Sequence, residues 1–208
     1  MKSILDILGS VPVTKAAVAS LYPDHSNANQ KVALLERHGL IFRLKRGLYI
    51  VNPTVSGQRV STELVANHLY SPSYVSMHSA LSWFGLIPER VHLMQSMTLK
   101  HSRRFENAFG VFEYIGVSRE YFPIGLQQQE TESGAFVIAS PEKALCDLVY
   151  ATAGINLRYQ REAQAFLEED MRMDMEDLQN FDLSILRQCA QAGKKTHSIE
   201  TIIKLLQR

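Results

Sequence analysis

An α+β fold is predicted for this 208-residue chain, because helix-period segments open and close it and β-prone runs lie between them. Three observations carry this. Residues 1–53 hold three short helical patterns followed by two β runs hinged at Lys45-Arg46-Gly47. Val91 to Lys100, Val111 to Val117 and Ala135 to Ala139 are β-rich, and from Gln160 onward apolar residues recur at helical spacing. The order helices then hairpin is that of a winged helix-turn-helix, expected over 1–53. A mixed α/β C-terminal domain, ending in a helical cluster, is expected over 61–208.

The first helix is read from Ile4, Ile7 and Leu8, taken as one inward stripe, and stops at Gly9 before Pro12. Thr14 can cap a second helix with Ala17, Val18 and Leu21 inward; Tyr22-Pro23-Asp24 closes it, since proline biases the residue before it away from helical dihedrals. Ser26 or Asn27 can cap a third helix, with Ala28, Val32 and Leu35 inward and Gly39 as terminator. Leu40 to Leu44 and Gly47 to Val51 then form the hairpin. Asn52 to Gln58 is rich in turn formers and marks the domain boundary. Beyond it, Ser61, Ser76 and Ser140 stand where hydroxyls cap helices, the last followed by proline at the first helical position.

Charge is unevenly spread. Residues 1–53 carry seven Lys and Arg against three acids, a net +4, so the remainder holds −3 within the chain's overall +1. A basic head on a slightly acidic body suits a protein whose first domain meets phosphates. No run of about 18 uncharged apolar residues occurs, as a membrane helix would need. Cys146 and Cys189 form no C-x-x-C pair, so neither a disulfide framework nor a zinc knuckle is indicated. The expected compartment is the cytoplasm.

On the third helix, Ser26, Gln30, Ala33 and Arg37 fall on the side away from Val32, with Asn29 beside them. A helix entering the major groove needs amides and hydroxyls for base edges, a small residue for close approach and cations for phosphates. An ordinary solvated face would look similar. The hairpin favours double-stranded DNA, because Arg43, Lys45 and Arg46 stand where a wing meets the sugar-phosphate backbone. The DNA-contact set is therefore Thr14, Lys15, Ser26, Asn27, Asn29, Gln30, Lys31, Arg37, Arg43, Lys45 and Arg46. A second basic segment, Lys100, His101, Arg103 and Arg104, is placed on a turn as a surface for a partner or for flanking phosphates.

Signs of catalysis are thin. Ser140 to Lys143 matches S-x-x-K, the pair of penicillin-recognising enzymes, without their S-D-N or K-T-G segments, and Ser140 already suffices as a cap. The seven histidines never fall at H-x-H or H-E-x-x-H spacing, and no glycine-rich phosphate loop occurs. Neither an enzyme, a metal nor a cofactor is expected.

Three stretches carry a family resemblance. Arg46-Gly47-Leu48-Tyr49, Tyr74 to Pro88 (Y-V-S-M-H-S-A-L-S-W-F-G-L-I-P) and Ala139 to Leu148 (A-S-P-E-K-A-L-C-D-L) resemble the AbiEi family. Its members are antitoxins and transcriptional regulators of type IV toxin-antitoxin systems, linked to phage defence by abortive infection. The chain departs from the family's pattern at His78, Trp83 and Cys146. The resemblance implies an N-terminal domain that binds inverted repeats in its own promoter and represses the operon. It also implies a C-terminal domain that antagonises a nucleotidyltransferase toxin. From the residues alone a rival stays open: a ligand-responsive winged-helix regulator with no toxin partner.

Overall fold

Thr14 ends one element and starts another, and the head of the chain is built around that junction. Its Oγ1 accepts from Ala17 N at 3.2 Å, capping helix α1 (Lys15–Ser20), while Val13–Thr14 form strand β1. The computed structural model describes residues 4–23, 27–89 and 91–207. Helix α2 (Ala28–Arg37) is capped by Asn27, whose Oδ1 accepts from Gln30 N at 3.1 Å. The alternative cap, Ser26, lies outside the described residues. Gly39, at φ +68°, takes the left-handed turn beyond α2 that a side chain would resist. Asn27→Ala removes the cap acceptor and is expected to cost about 1 kcal/mol, read as a lower urea midpoint with an unchanged slope.

Strands β2 (Ile41–Lys45) and β3 (Leu48–Val51) pair antiparallel across a turn at Arg46 and Gly47, and β1 adds to the other side of β3. Lys15 N also donates to Gly47 O at 3.0 Å, joining the start of α1 to the hairpin tip. Helices α1 and α2 close over this sheet around Leu5, Val18, Val32, Leu35, Ile41, Tyr49 and Val51.

The opening helix differs from expectation. Ile4–Leu8 forms a 3₁₀ turn, whose three residues per turn put Ile4 and Ile7 in one row and Leu5 and Leu8 in another. Leu5 faces the core at 1% exposure, whereas Ile4 and Ile7 are 45% and 75% exposed. Expecting Ile4 and Ile7 inside assumed a 3.6-residue period.

Strand β3 explains how the head meets the rest. All four of its residues are buried: Tyr49 and Val51 enter the head core, while Leu48 and Ile50 enter the larger core with Leu44 of β2. The hairpin is thus covered on both faces. Phe42 meets Phe109 edge-on at 5.8 Å between ring centroids, and Asn107 Nδ2 donates to Leu44 O at 3.3 Å. The expected boundary at Asn52 to Gln58 contains a single helical turn, α3 (Pro53–Ser56), pinned by Asn52 Nδ2 donating to Gly39 O at 2.7 Å.

Beyond it, α4 (Thr62–Leu69) is capped by Ser61 and leads to β4 (Ser73–Val75) and α5 (Met77–Trp83). Strands β5 (Leu93–Thr98), β6 (Arg103–Asn107), β7 (Gly110–Gly116), β8 (Leu126–Thr131) and β9 (Gly134–Ala139) complete a six-stranded sheet ordered β6-β7-β5-β4-β9-β8. Pairs β5–β7 and β4–β9 are parallel and the others antiparallel, so the sheet is mixed and the fold is α+β. Helix α6 (Pro141–Ala151) packs on α5 and opens the helical end: α7 (Gln160–Ala165), a π turn over Phe166–Asp170, α8 (Met175–Leu178), α9 (Leu183–Ala192) and α10 (Thr196–Leu206).

Ser140 caps α6 as expected, its Oγ accepting from Lys143 N at 3.3 Å. Ser76 does not cap α5. Its hydroxyl donates to Asp147 Oδ2 at 2.6 Å, and the amide of His78 is satisfied instead by Gln95 Oε1 at 3.2 Å. Asp147 and Lys143 lie one turn apart on α6, fully buried, with 3.0 Å between Nζ and Oδ1. The Lys143 ammonium also donates to Tyr121 O at 3.2 Å and lies 3.0 Å from the Tyr121 ring centroid. Burial pushes the Asp147 carboxyl up, against the pull of Lys143 and the Ser76 hydroxyl.

Candidate nucleic-acid interface

The sequence of α2 places apolar Val32 and Leu35 inward and leaves Asn29, Gln30, Ala33, Leu34 and Arg37 on the exposed side. Gln30, Lys31, Ala33, Leu34 and Arg37 line a shallow concavity of about 380 Å³ along that face. Side chains of Asn29, Gln30 and Arg37 make no hydrogen bond or ion pair with any other described residue, so their polar groups are turned to solvent. Lys31 leans over Tyr22, with Nζ 4.7 Å from the ring centroid. Asn29, Gln30, Ala33 and Arg37 of the stripe are thus exposed together, with Leu34 an apolar intruder beside them, while Ser26 lies outside the described residues.

Thr14 and Asn27 have their side-chain oxygens engaged as caps, Thr14 on α1 and Asn27 at the start of α2. Lys15 is half-buried near the hairpin tip. The three hairpin cations separate. Arg43 turns back toward α2, its Nη2 2.6 Å from Glu36 Oε2 and its guanidinium over the Tyr49 ring at 5.8 Å. That contact links α2 to the hairpin at the surface, and the hydrogen bond to Glu36 raises the Arg43 pKa. A register shift between Arg43 and Lys45 re-aims the strand, a usual effect of a β-bulge, and Lys45 Nζ donates to Leu69 O at 2.5 Å at the end of α4. Arg46 alone of the three makes no ion pair or hydrogen bond to another described residue, and it is exposed on the turn.

Lys45 instead joins the second basic segment. Lys100 Nζ donates to Ser71 O at 2.5 Å and lies 5.1 Å from the Tyr70 ring centroid, while the Arg103 guanidinium stands 5.9 Å from the same ring. Burial lowers the Lys45 pKa first, and the charges of Lys100 and Arg103 lower it further. Two segments separate in sequence thus meet around residues 69 to 71. The expected turn is also partly strand, because Arg103 and Arg104 begin β6. His101 and Arg104 are exposed. No local pattern signals this convergence, since it depends on where α4 ends.

The chain matches no protein-family profile and no curated protein. Among the described residues, no helix is long and apolar enough to cross a membrane.

The two longer motifs behind the family resemblance come together in the interior. Ser76, from the Tyr74 to Pro88 stretch, donates to Asp147 of the Ala139 to Leu148 stretch, and α5 packs on α6. Buried as they are, Ser76, Lys143 and Asp147 act on the scaffold. The S-x-x-K pair is likewise enclosed: Lys143 Nζ bonds Asp147 and Tyr121 O, and Ser140 is 1% exposed.

Proposed function

We propose that this protein is a DNA-binding repressor that also serves as the antitoxin of a type IV toxin-antitoxin pair. The observation that carries the DNA half is the solvent-turned stripe Asn29, Gln30, Ala33 and Arg37 on α2, next to a hairpin whose tip presents Arg46. In this reading the head is a winged helix-turn-helix. Helix α2 enters the major groove, Asn29 and Gln30 meet base edges, Arg37 and Lys31 hold phosphates, and Arg46 lies along the adjacent backbone. Lys45 and Arg43 fix the hairpin rather than the DNA. The antitoxin half rests on the resemblance of the three sequence stretches to the AbiEi family, with a nucleotidyltransferase toxin as functional partner.

Arg46→Ala is expected to weaken binding to operator and unrelated duplex alike and to reduce the slope of log affinity against log salt by about 1. Fluorescence anisotropy across a salt series reads this, and an unaltered slope takes Arg46 out of the interface. A promoter reporter and a growth assay with the neighbouring gene test the two halves separately. Repression without rescue from a nucleotidyltransferase would leave the regulator and remove the antitoxin.

A further inference from the structure

A cleft of about 740 Å³ opens beside the second basic segment, bounded by Tyr70, Lys100, Ser102, Gly116, Ser118 and Tyr150. Gly116 shapes it. A Cβ there would stand 2.6 Å from the Lys100 carbonyl oxygen, so only glycine lets residues 100–102 lie against β7, where Ser102 Oγ accepts from Gly116 N at 3.0 Å. On one wall Lys100 lies at the Tyr70 ring, and just behind the lining the Arg103 guanidinium stands 5.9 Å from the same ring and 4.8 Å from that of Phe105. On the other, Tyr150 stacks on Tyr121 at 5.0 Å and carries Lys194 Nζ 5.1 Å from its ring centroid. The residues lining the cleft include no carboxylate. Lys100, Arg103 and Lys194 have no acidic partner within ion-pair distance among the described residues. Lys45, bonded to the neutral Leu69 carbonyl, is a further cation near Lys100 and Arg103.

We propose that this cleft binds a phosphorylated small molecule of nucleotide size, its phosphates held by Lys100, Arg103 and Lys194 and its organic part set between the tyrosine walls. Cations left without counter-charges around a concave site are completed by a multivalent anion, and a guanidinium favours phosphate because two parallel N–H groups can meet two oxygens. Ser102 and Ser118 line the same cleft, their hydroxyls accepting from Gly116 N and Tyr121 N. Its volume falls in the range of small-molecule sites. The inference does not rest on DNA binding: a chain that bound no duplex would leave it standing.

Titration calorimetry of the full chain with adenosine diphosphate and, separately, inorganic pyrophosphate tests it. One molecule of diphosphate should bind per chain. Lys100→Ala with Arg103→Ala should weaken it by about tenfold or more, as loss of charge-assisted bonds requires. Lys194→Glu, at an exposed position over the Tyr150 ring, should weaken it too without lowering the melting temperature, whereas Arg46→Ala should have no effect. Tighter binding of the nucleotide than of pyrophosphate would place the organic part on the rings; equal binding would assign the site to polyphosphate alone. Absence of binding at millimolar concentrations of both probes, or binding indifferent to the double and the Lys194 variants, overturns the proposal.

Discussion

Asp147→Asn is expected to lower the free energy of unfolding by about 3 to 5 kcal/mol, although the side chain keeps its shape. The carboxylate is the counter-charge for Lys143, both groups are fully buried, and the ammonium would keep only neutral partners: the amide oxygen, a backbone carbonyl and the faces of tyrosine rings. An uncompensated ion in the interior costs far more than a neutral hydrogen bond, and domains of this size hold about 5 to 15 kcal/mol in all. The informative control removes the whole network. Ser76→Ala with Lys143→Met and Asp147→Leu replaces three mutually dependent polar groups by apolar ones of similar reach. It should recover most of the loss, because desolvating the pair offsets much of its Coulomb gain. Guanidinium unfolding of the single and triple variants decides it: a single variant within about 1 kcal/mol of the parent would mean that the pair is solvated or dispensable.

The second large effect concerns α2. Ala33 is exposed in the middle of the stripe, so Ala33→Glu leaves the fold alone while placing a carboxylate where the backbone of DNA would approach. Operator binding should fall below detection, through a charge clash and loss of close approach together, with helical content unaltered by circular dichroism. Gln30→Ala should act differently. Losing a paired amide contact to one base costs about 1 to 3 kcal/mol on the preferred sequence and almost nothing on random duplex, so discrimination narrows while background binding persists. Equal losses on both DNAs would demote Gln30 to a phosphate contact. Full binding by Ala33→Glu would send the search for the interface elsewhere on the head.

The elements that were legible in the sequence are those governed by neighbours a few residues apart. Thr14, Ser61 and Ser140 cap helices because a hydroxyl meets an amide three residues on, a relation written in the chain itself. The hairpin and the α2 stripe follow equally from local period. Misreadings arose where a distant partner decides. Ser76 stands where a cap belongs, yet Asp147, 71 residues away, takes its hydroxyl; Lys45 stands at the hairpin tip, yet the Leu69 carbonyl holds it. Strand β8 went unread because Leu126 to Thr131 is mostly polar, as an edge strand with one pairing neighbour tolerates. The Tyr70 and Tyr150 cleft joins residues from four separate stretches and has no local signature.

The two-sided burial of β3 has a consequence for how the head can be handled. Cutting the chain after residue 53 would bare Leu44, Leu48 and Ile50, the residues that seal the hairpin to the larger core. The head is therefore not a portable cassette. Grafted onto another protein it would carry an open apolar seam, and in the intact chain it lacks the swivel that tethered binding heads use to adapt to unevenly spaced sites.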